Sequence, residues 1–376
     1  MLDVGGRGYP PSMSKRAMAA GFALMLTACA APAQPSASAT MTPDASQAPA
    51  ATTTAAPPHS VRPSPATELL TWTVLDVVGP PGREDHTWTL DADGRLAYLF
   101  GGRDGATVFG DLWTFDLEGD TWTRLDVPAG PEARFGHEAA WVEGVGLVVF
   151  AGQAGSRFFE DLWAFSPEEG TWRQLSAGGD APVARYGTCA AVGPDGRLWI
   201  SHGFTADGSR FADTRAYDFA AEAWTDETPD GAAPIERCLH GCWWTDDGEL
   251  TLYAGQTTGV TSLGDRWLLS GEGWSQLDGA LPPERNLYAR ARLDDATLVF
   301  GGQASDGGYL ADLWLMVDGE ADAVALEAGT PAPPGRAGAE MVHDGVRGRV
   351  LLFGGRDADG TRADLWQLTG GLVTGR

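Results

Sequence analysis

A six-bladed β-propeller, an all-β fold, is what this sequence predicts, on three observations. A unit recurs: the turn ending YLFGG at Gly102 returns at Gly152, Gly203, Gly255, Gly302 and Gly355, in steps of 50, 51, 52, 47 and 53 residues. An Asp-x-Trp element follows each turn, at Asp111, Asp161, Asp265, Asp312 and Asp364, with Asp213 in the third repeat lacking its tryptophan. Each repeat also holds four strand-length apolar runs; in the second these are 136–142, 146–150, 162–165 and 171–175, separated by Gly, Asp and Pro turn signals. Four strands in about 50 residues make a propeller blade. The 51 glycines and the lack of a helical period argue against long helices.

In chain order, residues 13–29 read as an export signal: Lys15 and Arg16, an apolar run from Ala17 through Leu26, then Leu-Thr-Ala-Cys. Residues 26–29 resemble the bacterial lipobox, whose cysteine is diacylated and becomes the mature N-terminus. The resemblance implies a signal over 1–28, with translation starting at Met1 or Met13, and lipidation at Cys29. The run is too short for a spanning helix, which needs about 20 apolar residues. From 29 to 68 the chain is Ala, Pro, Ser and Thr with almost no charge or bulk, a composition that cannot bury enough surface to fold. It is expected to be a disordered tether of roughly 35 Å reach.

The propeller is expected over 69–376. Outer-strand tryptophans at Trp122, Trp172, Trp224 and Trp274 mark four blades, and Trp72 stands 50 residues before Trp122 where no blade precedes it. The last repeat reaches only Asp364-Leu365-Trp366 before the chain runs short. The N-terminal TWTVLD, so like TWTRLD at 121–126, is therefore expected to complete the sixth blade and leave no free sheet edge. The fifth blade lacks its tryptophan, with Val324 near that place.

The glycine pair, Asp-Leu-Trp and Thr-Trp resemble kelch repeats, covering 69–376. The likeness is specific for fold and nearly empty for function, since kelch propellers serve adaptors, sugar oxidases, isomerases and glycan-binding modules. In similar adaptors, arginines at the head of the inner strand line the channel mouth and grip acidic partners. The matching positions here are Arg83, Arg134, Arg185, Arg237, Arg285 and Arg336, with His86, His137, Thr188, His240, Tyr288 and Ala339 three residues on. After the glycine turns, Arg103, Gln153, Gln256, Gln303 and Arg356 should reach the same face, giving a basic, hydrogen-bonding rim for a carboxylate or sulfate. Against this stands a structural alternative in which the six arginines pair with the six aspartates and latch neighbouring blades.

The chain carries 51 Asp plus Glu against 26 Lys plus Arg, a net charge of -25, which speaks against nucleic acid as a partner. Lys15 is the single lysine, so a mature chain starting at Cys29 has no amine for Schiff-base chemistry. No cofactor or metal is expected: the histidines sit on non-adjacent blades without HxH or HExxH spacing. Galactose oxidase also uses kelch blades, but its copper set of two tyrosines and two histidines has no match here. Asp357-Ala-Asp359-Gly360 and Asp91-Ala-Asp93-Gly94 lack the rest of a calcium loop and read as hairpin turns.

Cys238 and Cys242 lie four apart on one strand, about 13 Å, too far to bridge. Counted from the arginines, Cys189 and Cys242 have opposite parity on neighbouring blades, so a Cys189–Cys242 disulfide with Cys238 free is expected in an exported protein. The alternative is three reduced thiols in the core.

These observations lead to an expected function. The chain would be a monomeric, lipid-anchored, extracytoplasmic kelch module of the bacterial envelope, binding another envelope protein or an acidic glycan on its arginine face, without catalysis. An alternative is an enzyme similar to exported sialic-acid epimerases or mutarotases, with a channel His or Glu as proton carrier. A purely structural module is the third reading.

Overall fold

Alternating apolar side chains and closely spaced turns force the repeated segments into antiparallel sheets. The computed structural model describes residues 69–371, apart from 295, 318, 319, 325, 327 and 328. The signal, Cys29 and tether expectations lie outside the described residues.

The described residues form six four-stranded blades whose inner strands surround a central channel. The first blade shows the pattern, with Thr87–Leu90 inside, then Leu96–Phe100, Leu112–Asp116 and, outermost, Thr121–Leu125. The second begins at Glu138–Val142, two residues later than the expected run, because Gly136 and His137 belong to the turn that enters the channel. The third carries a further short strand, Gly178–Gly179, parallel to its outer strand. The sixth takes its outer strand from the other end of the chain: Thr71–Leu75 pairs antiparallel with Leu365–Thr369, Trp72 facing Leu368. That closure covers an edge that would otherwise be open.

The core lies between blades. Second strands such as Gly146–Phe150 are buried along their whole length. Aromatic rings knit one blade to the next: Trp72 meets Phe300 edge-on at 5.6 Å, Phe150 meets Trp224 at 5.1 Å, and Phe100 meets Trp172 at 5.4 Å. The fifth blade, expected to be irregular for want of its tryptophan, keeps four regular antiparallel strands, and Val324 and Leu326 pack against the cluster around Trp72. Cys189 and Cys242 are joined by a disulfide, with Cα atoms 5.7 Å apart, across the inner strands of the third and fourth blades; Cys238 is free and buried.

Candidate functional site

The six strand-opening arginines are no ring of free guanidinium groups. Their side chains are 0–1% exposed, and each closes its own blade. Arg134 shows the geometry: its guanidinium grips Asp161 bidentately at 2.7 and 3.1 Å and donates to the carbonyls of Ala151 (3.0 Å) and Glu132 (2.9 Å). Arg83–Asp111, Arg185–Asp213, Arg237–Asp265, Arg285–Asp312 and Arg336–Asp364 repeat it. The tryptophan two residues after the aspartate donates to the same carboxylate, as Trp163 does to Asp161 at 2.8 Å, which explains Asp-x-Trp. Arg215 replaces it in the third blade, at 3.3 Å from Asp213. Burial alone would raise the pKa of Asp161, but the hydrogen bonds and charge of Arg134 and the Trp163 N–H outweigh it and hold the carboxyl below its usual range.

Two expectations are therefore corrected. The ring has almost no guanidinium surface left for an acidic ligand, because the six side chains are buried and Arg134 spends four of its five N–H donors within its own blade. Nor do the pairs latch neighbouring blades, since arginine and aspartate belong to the same blade. At the level of the arginines the joints between blades are backbone: the N–H of Gly102 donates to the carbonyl of Arg134 at 2.8 Å, and Gly152, Gly203, Gly255, Gly302 and Gly355 repeat the bond to the arginine of the next blade. A Cβ on Gly102 would stand 2.8 Å from that of His86, and its φ is +93°, so glycine is required there.

Below the arginines the chain narrows the channel. The residues two after each arginine, Asp85, Gly136, Gly187, Leu239, Leu287 and Gly338, all have φ between 51° and 66°. Their backbones hydrogen-bond head to tail around the axis: Asp85 to Gly338, Gly338 to Leu287, Leu287 to Leu239, Leu239 to Gly187, Gly187 to Gly136 and Gly136 to Asp85, all at 2.8–3.2 Å. Left-handed backbone at Asp85 and the two leucines costs about 1–2 kcal/mol each, and the closed ring of bonds holds it.

The histidines and the tyrosine expected to bind a ligand line the neck of the channel and are deeply buried there. His86, His137 and His240 are 2–5% exposed. His86 sits edge-on to Phe353 at 5.6 Å, His137 to Phe100 at 5.2 Å, and His240 to His202 at 5.5 Å. Burial, then the nearby Arg134, holds His137 down at about 3; burial and Arg83 lower His86, and burial and His202 lower His240. All three are neutral at physiological pH. Tyr288 donates its hydroxyl to the Tyr253 carbonyl at 2.9 Å.

The basic rim is neutralised as well. Arg103 pairs with Glu84 (3.2 Å) and Asp85 (3.0 Å), and Arg356 with the other oxygen of Glu84 (3.2 Å). Gln153 and Gln303 donate to carbonyls within their own loops, Gly155 and Gly307, and Gln256 accepts from Arg210. The loop aromatics Phe109, Phe159 and Phe211 lie under the guanidinium groups of Arg83, Arg134 and Arg185, at 4.0–4.3 Å.

The space for a ligand lies past the constriction. A neck of about 60 Å³ opens into a funnel of about 460 Å³, lined by the inner strands of five blades and by the end of the third-blade strand. Half-buried Trp244 stands on its wall, while Trp88 and Trp243 border it with their rings packed in the clusters between blades. Three charged side chains line both neck and funnel: Glu138 of the second blade, Arg290 of the fifth and Glu340 of the sixth. Arg290 lies 3.9 Å from Glu138. Burial pushes Glu138 up to about 7, against the pull of Arg290 and the Ala190 N–H. Burial pushes Glu340 up to about 8, with Glu138 and Asp85 adding to it and Arg290 opposing. Two carboxyl groups that titrate near neutrality around one guanidinium can bind a cation, share a proton or exchange one.

Sequence reading missed all three. The visible signal was a glutamate inside an innermost apolar strand, HEAAWV and AGAEMV, where a solvated charge has no place. Among the described residues no group of three or more His, Cys, Asp or Glu is placed to hold a metal, and no helix is long and apolar enough to cross a membrane.

Comparison with known proteins agrees with this architecture. Residues 65–255 match the model of the KLHDC2/KLHL20/DRC7 Kelch-repeats domain. A curated relative is the tRNA wybutosine-synthesizing protein 4 of Emericella nidulans, 32% identical over 137 residues; the match covers 33% of this chain and 12% of that protein.

Proposed function

Because the chain belongs to the kelch-repeat family whose model it matches over more than half its length, we propose that it is a binding module that receives its ligand in the channel funnel. A kelch propeller is consistent with such an interaction role. The observation that carries the reading is the funnel itself: about 460 Å³ with apolar strand walls and a few convergent charges is the anatomy of a ligand site. The arginine face, by contrast, has its guanidinium groups spent within the fold, so an acidic partner gripped by that ring is set aside.

The proposal extends to location. The Cys189–Cys242 disulfide supports an oxidising compartment, and the lipobox-like residues 26–29 support a lipid anchor at Cys29 on the outer side of a bacterial membrane. The partner proposed is another envelope protein, met by a monomer. The test is capture from envelope extract by the full chain, its Trp243→Ala, Arg290→Ala variant and its Gln153→Ala, Gln256→Ala variant, each first shown folded by its melting curve. A partner kept by the rim variant and lost by the funnel variant supports the reading. Loss only in the rim variant overturns it.

A second reading, an enzyme moving a proton on a sugar, is favoured by one observation: Glu138 and Glu340 titrate near neutrality in a cavity large enough for a monosaccharide. Arg290 would hold the sugar carboxylate in place of the arginine ring. Exchange NMR between the anomers of N-acetylneuraminate tests it. Acceleration by the parent that disappears in Glu340→Gln would favour the enzyme, and unchanged exchange would remove it.

A further inference from the structure

The chemistry of the funnel points to a class of ligand, an inference that rests on the funnel being the binding site. Glu138 and Glu340 face one guanidinium, Arg290, so the fully ionised set carries one negative charge in excess. The neck adds a third carboxyl. Asp85 is 6% exposed and lines the neck; its Oδ2 is held by Arg103 at 3.0 Å and Tyr186 at 3.2 Å, while Oδ1 is buried with no hydrogen-bond partner among the described residues. A buried carboxylate oxygen without a donor is costly and marks a place where a donor belongs. Three carboxyl groups against one guanidinium give this narrow space an excess of negative charge that fits a cation; the uncharged rings of His86, His137 and His240 beside them add none.

The wall and the mouth agree. Half-buried Trp244 lines the wider part of the funnel beside the apolar Ala291 and Val342, room for an aliphatic stem. The turns that follow the inner strands expose Asp93, Glu143, Asp195, Asp246 and Asp294. Arg292, which lines the funnel, is taken by Asp246 at 2.9 Å. Such a rim on a chain of net charge -25 attracts cations and repels anions.

We propose that the funnel takes an alkylammonium group, its charged tip seated between Glu138 and Glu340 and its stem in the wider part of the funnel. The same chemistry comes from a free aliphatic amine or from a lysine side chain presented by a protein. An ammonium with its three donors fills the acceptors that Arg290 leaves unmet.

The test is calorimetric titration of the full chain with hexylammonium, hexanoate and hexanol, and with a glycine-flanked lysine peptide blocked at both ends. Hexylammonium is expected to bind, with affinity rising between about pH 6 and pH 9 as Glu138 and Glu340 lose their protons while the amine keeps its own. The other groups facing them do not reverse that sign: His137 and His240 are already neutral, burial holds Tyr288 protonated, and Arg290 stays charged. A Glu138→Gln, Glu340→Gln variant should lose at least about tenfold in affinity, or 1.4 kcal/mol. Arg290→Gln should bind the amine more tightly, a gain that mere damage to the fold would not produce. Tighter binding of the peptide assigns the ligand to a protein; tighter binding of hexylammonium assigns it to a free amine. Hexanoate or hexanol binding without hexylammonium, and lost in Trp243→Ala, overturns the cation and leaves the funnel as the site. Binding of none of the probes up to about 10 mM overturns the cation too, and the capture experiment then decides the funnel by itself.

Discussion

Each buried guanidinium of the ring is a joint between the head of an inner strand, a glycine turn and the head of a third strand. Removing one strands a half-buried carboxylate and several carbonyls at once. Arg134→Ala is expected to cost about 3–5 kcal/mol in a chemical denaturation curve. Arg134→Lys should recover little, because an ammonium cannot hold a carboxylate bidentately and reach two carbonyls. The six aspartates also set an acid limit. Their pKa values are lowered in the fold, so their stabilisation is complete above about pH 4 and drains away as pH falls through the folded values. The funnel glutamate runs the other way. Glu340 is raised from 4.5 to about 8, so the folded state holds a proton that the unfolded chain has released, and stability falls as pH rises across that interval. Glu340→Gln should therefore melt higher than the parent at about pH 8 and close to it at about pH 4. An equal shift at both would deny the raised carboxyl.

At the scale of the strand, closure rests on Thr71–Leu75. Trp72 is 1% exposed against Phe300 and Leu368, so Trp72→Ala should cost about 3–5 kcal/mol. Loss of the whole strand should do more than destabilise: it would bare the edge of Leu365–Thr369 and promote association, visible as a larger species in light scattering. A second clasp joins the sixth blade to the first, where Arg349 reaches the Leu117 carbonyl and Asp120, both at 2.7 Å, and Asp344 at 2.9 Å. This clasp was not foreseen, because nothing in the repeat pattern singles out Arg349. The disulfide is a third tie between neighbouring blades, and reducing it should lower stability by about 2–4 kcal/mol.

For the whole molecule, the two ends of the channel have opposite character. One is narrowed by a cyclic ladder of six backbone hydrogen bonds under a set of buried, paired arginines; the other is an open, acid-rimmed funnel. The sequence by itself determined the blade count, the partition of strands and the closing role of the N-terminal strand. Those features repeat, and repetition at a fixed period needs no knowledge of the third dimension. It also put the arginines and aspartates in register, but left open which partner each would take. Only the tertiary structure decided that. A guanidinium satisfied by a carboxylate and two buried carbonyls cannot be told by spacing from one held out to solvent. Nor could the sequence bring Glu138, Arg290 and Glu340 together, for they lie 152 and 50 residues apart and occur on three blades of six. Their relation is radial, across an axis that exists only when the ring has closed, and their shifted pKa values come from burial that closure creates.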